Sequence, residues 1–208
     1  PAILFGAVGT AGQRCTSTRR IIVHSSVADT LVDRLKRAYA QVRIGNPLDE
    51  GTLMGPLVDG KAVQDFEDAV AKIDAAGGEI LTGGKRPEGL AGTYYEPTIL
   101  NCPRQDLRIV DTELFGPVLA AQRFRTEEEV IRLANDTRHG LAAGIFTRSG
   151  ARQMRMAKAV RAGIVWINTY RVVSPIAEFG GVKGSGYGRE SGFQAMYDYT
   201  RPKTVWVN

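Results

Sequence analysis

A cysteine in a loop crowded with arginines is the first place where this sequence could do covalent chemistry. Cys15 stands in Gly12-Gln13-Arg14-Cys15-Thr16-Ser17-Thr18-Arg19-Arg20, between a flexible small-residue run from Gly6 and the β-branched run Ile21-Ile22-Val23. The thiolate is the nucleophilic form, and nearby positive charge and backbone N–H groups favour it over the thiol. Arg14, Arg19 and Arg20 bring such charge close in sequence; a small residue in an ordinary turn is the alternative.

Three more segments carry chemistry-bearing residues. In Glu113-Leu114-Phe115-Gly116-Pro117, the carboxylate could accept hydrogen bonds from ribose hydroxyls and the ring could pack on a flat ligand. A solvated Glu and a core Phe before a turn would fit equally. Asn168-Thr169-Tyr170-Arg171 leaves the end of a predicted strand, where ligands of open parallel sheets gather. There Asn168 reads as a cap, while Tyr170 and Arg171 either line a pocket, where Arg171 could attract a carboxylate-bearing substrate, or face solvent. The last segment, Glu178 to Glu190, is dense in glycine. Its spacing is wrong for a phosphate loop, and it does not follow the first strand of a βαβ unit. Close backbone packing that places Phe179 is the better account.

These segments need elements to hold them. Pro1 to Gly12 reads as a helix ending near the cysteine, and Arg20 to His24 as a buried strand. A helix follows, with Ser26 and Asp29 as a capping box and Val27, Leu31, Leu35, Ala38 and Val42 as its buried stripe. Gly45-Asn46-Pro47 stops it and opens a loop to about Asp59. A second helix runs from Gly60 to Ala76, with Val63, Phe66, Val70 and Ile73 inward and Gly77-Gly78 as its stop. Strands are expected at Glu79–Thr82, Tyr94–Leu100 (with Pro97 at an edge or bulge), Val118–Phe124, Leu141–Thr147 and Gly163–Asn168. Helices are expected after Thr126, capped with Glu129, and over Gly150–Val160. This alternation predicts an α/β fold: a mainly parallel sheet with helices on both faces. Lys203 to Asn208 reads as an apolar terminal strand, able to pair within the chain or with another subunit's sheet edge.

Composition narrows the function classes. The chain has 208 residues, 43% hydrophobic and 24% charged, which are globular values. Two cysteines and two histidines make neither a disulfide framework nor a metal centre. Cys102, beside Pro103, reads as structural, and so do His24 and His139. No apolar run is long enough for a membrane span, no signal peptide is evident, and a cytoplasmic location is expected. The net charge of +5 is spread along the chain, without long basic runs interleaved with aromatics, so no nucleic-acid partner is expected.

Together the segments resemble the aldehyde dehydrogenase superfamily. Gly12-Gln13-Arg14-Cys15 is similar to its cysteine motif, Glu113-Leu114-Phe115-Gly116-Pro117 to its E-x-F-G-P motif, and Phe179 to Glu190 to its late F-G-G-x-K-x-S-G-x-G-R-E signature. Gly45-Asn46-Pro47 with Gly55-Pro56-Leu57 also matches, and the order fits over essentially the whole chain. The resemblance implies that Cys15 attacks an aldehyde carbonyl. A hemithioacetal and then a thioester form, with NAD or NADP as cofactor, and water or in some relatives coenzyme A cleaves the thioester. It implies a backbone N–H oxyanion donor at Cys15, cofactor contacts from Glu113 on the nicotinamide-side ribose and from Phe115 near the ring, and substrate-tunnel positions at Tyr170 and Phe179.

It also implies a catalytic domain over 1–196, a C-terminal oligomerisation strand segment over 197–208 and a homo-oligomer. The family's dinucleotide-binding domain, its general-base Glu in an E-L-G-G-K type motif and its oxyanion Asn have no counterpart in these 208 residues, and position 178 is Glu where many relatives have Pro. The expectation is therefore part of a longer enzyme, inactive as a dehydrogenase by itself. A truncated homologue serving as a folding or oligomerisation module is the alternative. A cysteine acyl-transferase working without NAD is a second, although it would lack an obvious His base.

Overall fold

The structure is a computed structural model and describes residues 1–73 and 76–208. The chain divides into two compact units, 1–137 and 138–208.

In the first unit, the run Ile21-Ile22-Val23 forms β1 (Arg20–His24), which pairs in parallel with β4 (Val118–Phe124) in the register Arg20 to Ala120. On its other side β4 pairs in parallel with β3 (Thr98–Asn101), and β3 pairs antiparallel with β2 (Glu79–Thr82). The order is β1-β4-β3-β2. Val118 to Gln122 are all buried. Successive strand residues point to opposite faces, so the centre of this mainly parallel sheet is covered on both. The strand expected from Tyr94 starts only at Thr98, because Pro97 has no N–H to give the ladder. Thr98 opens the pairing by donating to Pro117 O at 2.8 Å.

Helices α1 (Ala2–Val8), α2 (Ser25–Tyr39), α3 (Gly60–Ala71), α4 (Arg108–Asp111) and α5 (Glu127–Asn135) complete this unit. The expected capping box of α2 does not form. The helix is capped two residues earlier, its Ser26 N–H donates to His24 Nδ1 at 3.2 Å, and Asp29 pairs with Arg123 at 2.6 Å. The buried stripe accordingly begins at Ala28, and Val27 is 53% exposed. Asp59 caps α3 by accepting from Ala62 N, and Val63, Phe66 and Val70 are buried as expected. That helix ends at Ala71 rather than Ala76; positions 74 and 75 of the expected helix lie outside the described residues. Thr126 and Glu129 cap α5 as the sequence predicts, with Glu129 N donating to Thr126 Oγ1 at 3.2 Å. Cys102 follows β3, is fully buried and donates its N–H to Ala121 O at 2.8 Å. Burial pushes its thiol up to about 12.

In the second unit β5 (Ala142–Ile145) and β6 (Ile164–Ile167) pair in parallel across α6 (Gly150–Ala159), which Ser149 caps. A last short helix, α7, spans Ala195–Asp198. The strand expected over 203–208 is not formed: these residues are irregular and exposed. A strand exists only through a paired neighbour, and among the described residues no strand pairs with this segment. Among the described residues no helix is long and apolar enough to cross a membrane.

Candidate active site

The thiol loop begins with a break in the chain's direction. After α1, Thr10 and Ala11 take left-handed backbone angles (φ 55° and 52°), and Gly12 follows at 69°. For Thr and Ala this conformation costs about 1–2 kcal/mol each, so the surrounding contacts must hold it. Those contacts are present. Gln13 reaches across to the Gly55-Pro56-Leu57 stretch, donating to Pro56 O at 3.2 Å and accepting from Val58 N at 2.8 Å. Residues Arg14 to Ser17 close a turn, with Ser17 N donating to Arg14 O and Arg14 N donating to Ser17 Oγ. Thr18 N donates to Gly6 O and ties the far side of the turn to α1. Cys15 sits at the outer corner of this turn and is exposed.

The arginines near Cys15 have other work. Arg14 lies over the Phe5 ring, 5.1 Å from its centroid. Arg20 is half-buried and donates to Leu133 O and Ala134 O at the end of α5. Burial lowers its pKa, opposed by Asp111 and Asp136. Arg19 spans two segments. It donates through Nη1 to Gly12 O (3.2 Å) and Leu114 O (2.5 Å), through Nη2 to Arg14 O (3.0 Å) and through Nε to Glu113 Oε1 (3.3 Å). Its guanidinium also lies 4.9 Å from the Phe115 centroid. The Arg19 guanidinium thus organises the backbone that leads into Cys15 and joins it to the segment at Glu113.

Glu113 and Phe115 are thus brought to the thiol loop. The backbones themselves touch: a Cβ at Gly12 would stand 2.1 Å from Gly116 O, so only glycine fits. Leu114, Gly116 and Pro117 are buried and anchor the segment, while Glu113 and Phe115 are left at the surface, the ring 48% exposed. Phe115 is not the core residue of the alternative reading. The ion pair with Glu113 is partly solvated, with side chains 16% and 39% exposed, and contributes at most about 1 kcal/mol. Hydrogen bonds from a charged donor to carbonyls contribute about 1.5–3 kcal/mol each, so the carbonyl contacts dominate.

The second unit holds the remaining candidates. Asn168 has φ 54° and clasps Thr147 from both sides, Oδ1 accepting from Thr147 N and Nδ2 donating to Thr147 O. It turns the chain as a cap. Tyr170 is half-buried and meets Trp166 edge-on at 5.5 Å, while Trp166 Nε1 donates to Val172 O. Phe179 is half-buried and pairs with Glu190 through two 2.7 Å backbone bonds. The glycine-dense loop is used for close packing: a Cβ at Gly163 would lie 1.8 Å from Gly180 O, and Arg189 donates to Gly181 O and Gly188 O.

Comparison with known proteins bears on what this arrangement is for. The sequence profile described as "Aldehyde dehydrogenase family" matches residues 1–205. The chain belongs to the aldehyde dehydrogenase family. It is 44% identical over 207 residues to (Z)-2-((N-methylformamido)methylene)-5-hydroxybutyrolactone dehydrogenase of Acinetobacter baylyi, a match that covers 99% of this chain and 42% of that protein. It is 44% identical over 214 residues to alpha-aminoadipic semialdehyde dehydrogenase of Bos taurus, covering 100% of this chain and 39% of the relative. Among solved structures it resembles betaine aldehyde dehydrogenase of Staphylococcus aureus in complex with NAD+ (TM-score 0.92, 35% identity, 95% of this chain and 40% of that one). It also resembles a variant aldehyde dehydrogenase of Bacillus cereus (TM-score 0.94, 36% identity, 100% and 42%). The chain thus spans about two fifths of the length of the relatives it matches.

Two residues of this aldehyde dehydrogenase chain hold the thiol loop in ways their types do not announce, Arg19 and Gln13. Gln13 ties the cysteine motif to the Gly55-Pro56-Leu57 stretch and the residue after it, donating to Pro56 O and accepting from Val58 N. Arg19 had only its charge to recommend it, because its partners are backbone carbonyls that no residue type announces.

Proposed function

We propose that this chain supplies the thiol-bearing catalytic part of an NAD(P)-dependent aldehyde dehydrogenase that oxidises an aldehyde to a carboxylic acid. The observation that carries this reading is the exposed Cys15 turn, locked to the segment that bears Glu113 and Phe115.

These residues fit the nicotinamide riboside end of the cofactor. Glu113 offers a partly exposed carboxylate for ribose hydroxyls, and Phe115 a half-exposed ring for the flat base. NAD(P), when bound, supplies the hydride acceptor for the oxidation. Cys15 adds as thiolate to the aldehyde carbonyl carbon, giving a hemithioacetal whose oxyanion the Cys15 backbone N–H receives. After the oxidation the acyl group remains on Cys15 as a thioester, which water cleaves to the acid; coenzyme A is the acceptor in some members of the family. No residue of this chain is assigned as the base for that step. Tyr170 and Phe179 are the proposed substrate-tunnel residues. The names of two relatives, alpha-aminoadipic semialdehyde dehydrogenase and an aminoaldehyde dehydrogenase of Pisum sativum, favour an amino-bearing aldehyde as substrate.

Residues 1–196 are the proposed catalytic domain, and 197–208 the oligomerisation segment. Val205, Trp206 and Val207 are 70%, 93% and 89% exposed, and such a segment can add as a strand to the sheet edge of a second copy. A reducing compartment keeps an exposed thiol free, which favours the cytoplasm.

The test uses the 208-residue chain with 4-nitrophenyl acetate, which needs only the nucleophile. The sulfur–acyl bond forms, the ester C–O bond breaks and 4-nitrophenolate leaves. The expected result is a stoichiometric burst, an acetyl group on Cys15 by mass spectrometry, loss of both in Cys15→Ser, and no NAD-dependent aldehyde oxidation by the chain alone. Robust oxidation would overturn the division of labour proposed here. An inert Cys15 would overturn the nucleophile and favour a non-catalytic folding or oligomerisation module.

A further inference from the structure

We infer that Arg19 is the positioning residue of this site, the group that makes the thiol turn and the Glu113–Phe115 segment one rigid piece. This rests on the reading of Cys15 as nucleophile. Four contacts of one guanidinium carry the inference. Two go to carbonyls just before the thiol residue, Gly12 O and Arg14 O, and two go to the other segment, Leu114 O and Glu113 Oε1. The ring of Phe115 packs under the same plane. The fork thus uses Nε, Nη1 and Nη2 together, and a point-charge ammonium cannot reproduce that geometry.

The root of the side chain is fixed as well. Arg19 O accepts from Ala120 N at 2.8 Å, at the start of the β1–β4 pairing and just past the Gly116-Pro117 turn. The guanidinium is therefore held from β4 and reaches back over both loops. Without it the Gly12 and Arg14 carbonyls lose charged donors, and the turn carrying Cys15 loses the brace that offsets the left-handed angles at Thr10 and Ala11. The consequence is specific: what happens at residues 113 and 115 reaches Cys15 through Arg19.

The experiment measures the second-order rate of Cys15 acylation by 4-nitrophenyl acetate in the 208-residue chain, for Arg19→Ala, Arg19→Lys, Phe115→Ala, Glu113→Gln and the doubles with Arg19→Ala. Arg19→Ala is expected to slow acylation about tenfold. Arg19→Lys, which keeps the stem and charge, is expected to fold with a near-native melting temperature yet not restore the rate. Phe115→Ala and Glu113→Gln should each change the rate in the Arg19 background and leave it unchanged in the Arg19→Ala background. Rates that are normal in Arg19→Lys, or effects that simply add in the doubles, would show a structural arginine and overturn the inference while the nucleophile reading stands. A wild-type thiol that does not acylate overturns both.

Discussion

The two cysteines occupy opposite kinds of backbone within one unit. Cys102 continues the regular parallel pairing of β3 with β4, is fully buried, and has its thiol pushed up to about 12. Cys15 follows consecutive left-handed residues, stands at the corner of a turn and is exposed. A ladder satisfies its own hydrogen bonds and hides what it carries. A strained turn hides nothing, and needs side chains brought from elsewhere, here Gln13, Ser17 and Arg19, to stay in place. The residue type is the same; the backbone around it decides which thiol meets solvent.

The sharpest way to break this contrast is to remove the close approach that seats the turn. Gly12→Ala adds a Cβ 2.1 Å from Gly116 O at a φ of 69°. It is expected to destabilise the chain by about 3 kcal/mol or more, and to abolish the acylation burst. Gly60→Ala, where a Cβ meets nothing within 4 Å at the first position of α3, is the control. It should change stability by less than about 1 kcal/mol. Equal denaturation midpoints for the two would mean that the thiol loop does not lean on residue 116.

The next largest effect belongs to the buried thiol. Cys102→Ser places a hydroxyl where there is no exposure to solvent, and is expected to cost about 1–3 kcal/mol in chemical denaturation. The pH dependence has a definite sign. The folded-state thiol titrates near 12 against a reference of 9.0, so the folded state holds its proton more tightly. Its contribution is complete below about pH 9 and is lost as pH rises toward 12. Denaturation at about pH 8 and pH 11 should show an alkaline loss of stability that Cys102→Ala lessens. A slope unchanged by that substitution would mean the thiol reaches water without unfolding.

Much of the frame is legible in the sequence because its causes are local. The run Ile21-Ile22-Val23 forms β1, Val118 to Phe124 forms β4, and the Thr126–Glu129 pair starts α5 where its residue types say it should. What escapes the sequence depends on an uncommon capping residue or on partners far along the chain. His24 displaces Ser26 as the cap of α2 because the end of β1 brings its imidazole to Ser26 N. The segment 203–208 has the residues of a strand but no strand pairs with it among the described residues. Cys15, Glu113 and Phe115 stand out by type, whereas Arg19 joins them through a carboxylate and a carbonyl 94 and 95 positions away and through the Phe115 ring. Residues whose types could do chemistry are recognisable one at a time, and the contacts that bring them together are recognisable only once the fold has closed.

The smallest effect sharpens the contrast most. Cys15→Ser changes one exposed atom at a corner that is held by its neighbours' backbone, through Ser17 N to Arg14 O and Thr18 N to Gly6 O. Its stability should stay within about 0.5 kcal/mol of the parent chain, although the acylation burst disappears. Cys102→Ser should do the reverse, lowering the denaturation midpoint while the burst rate at Cys15 is kept. This double dissociation is what distinguishes a thiol displayed for chemistry from one enclosed for packing. If Cys15→Ser instead lost more than about 1 kcal/mol, the thiol would be a structural element of its own turn. The loop would then be holding itself together, with no reactive group on display.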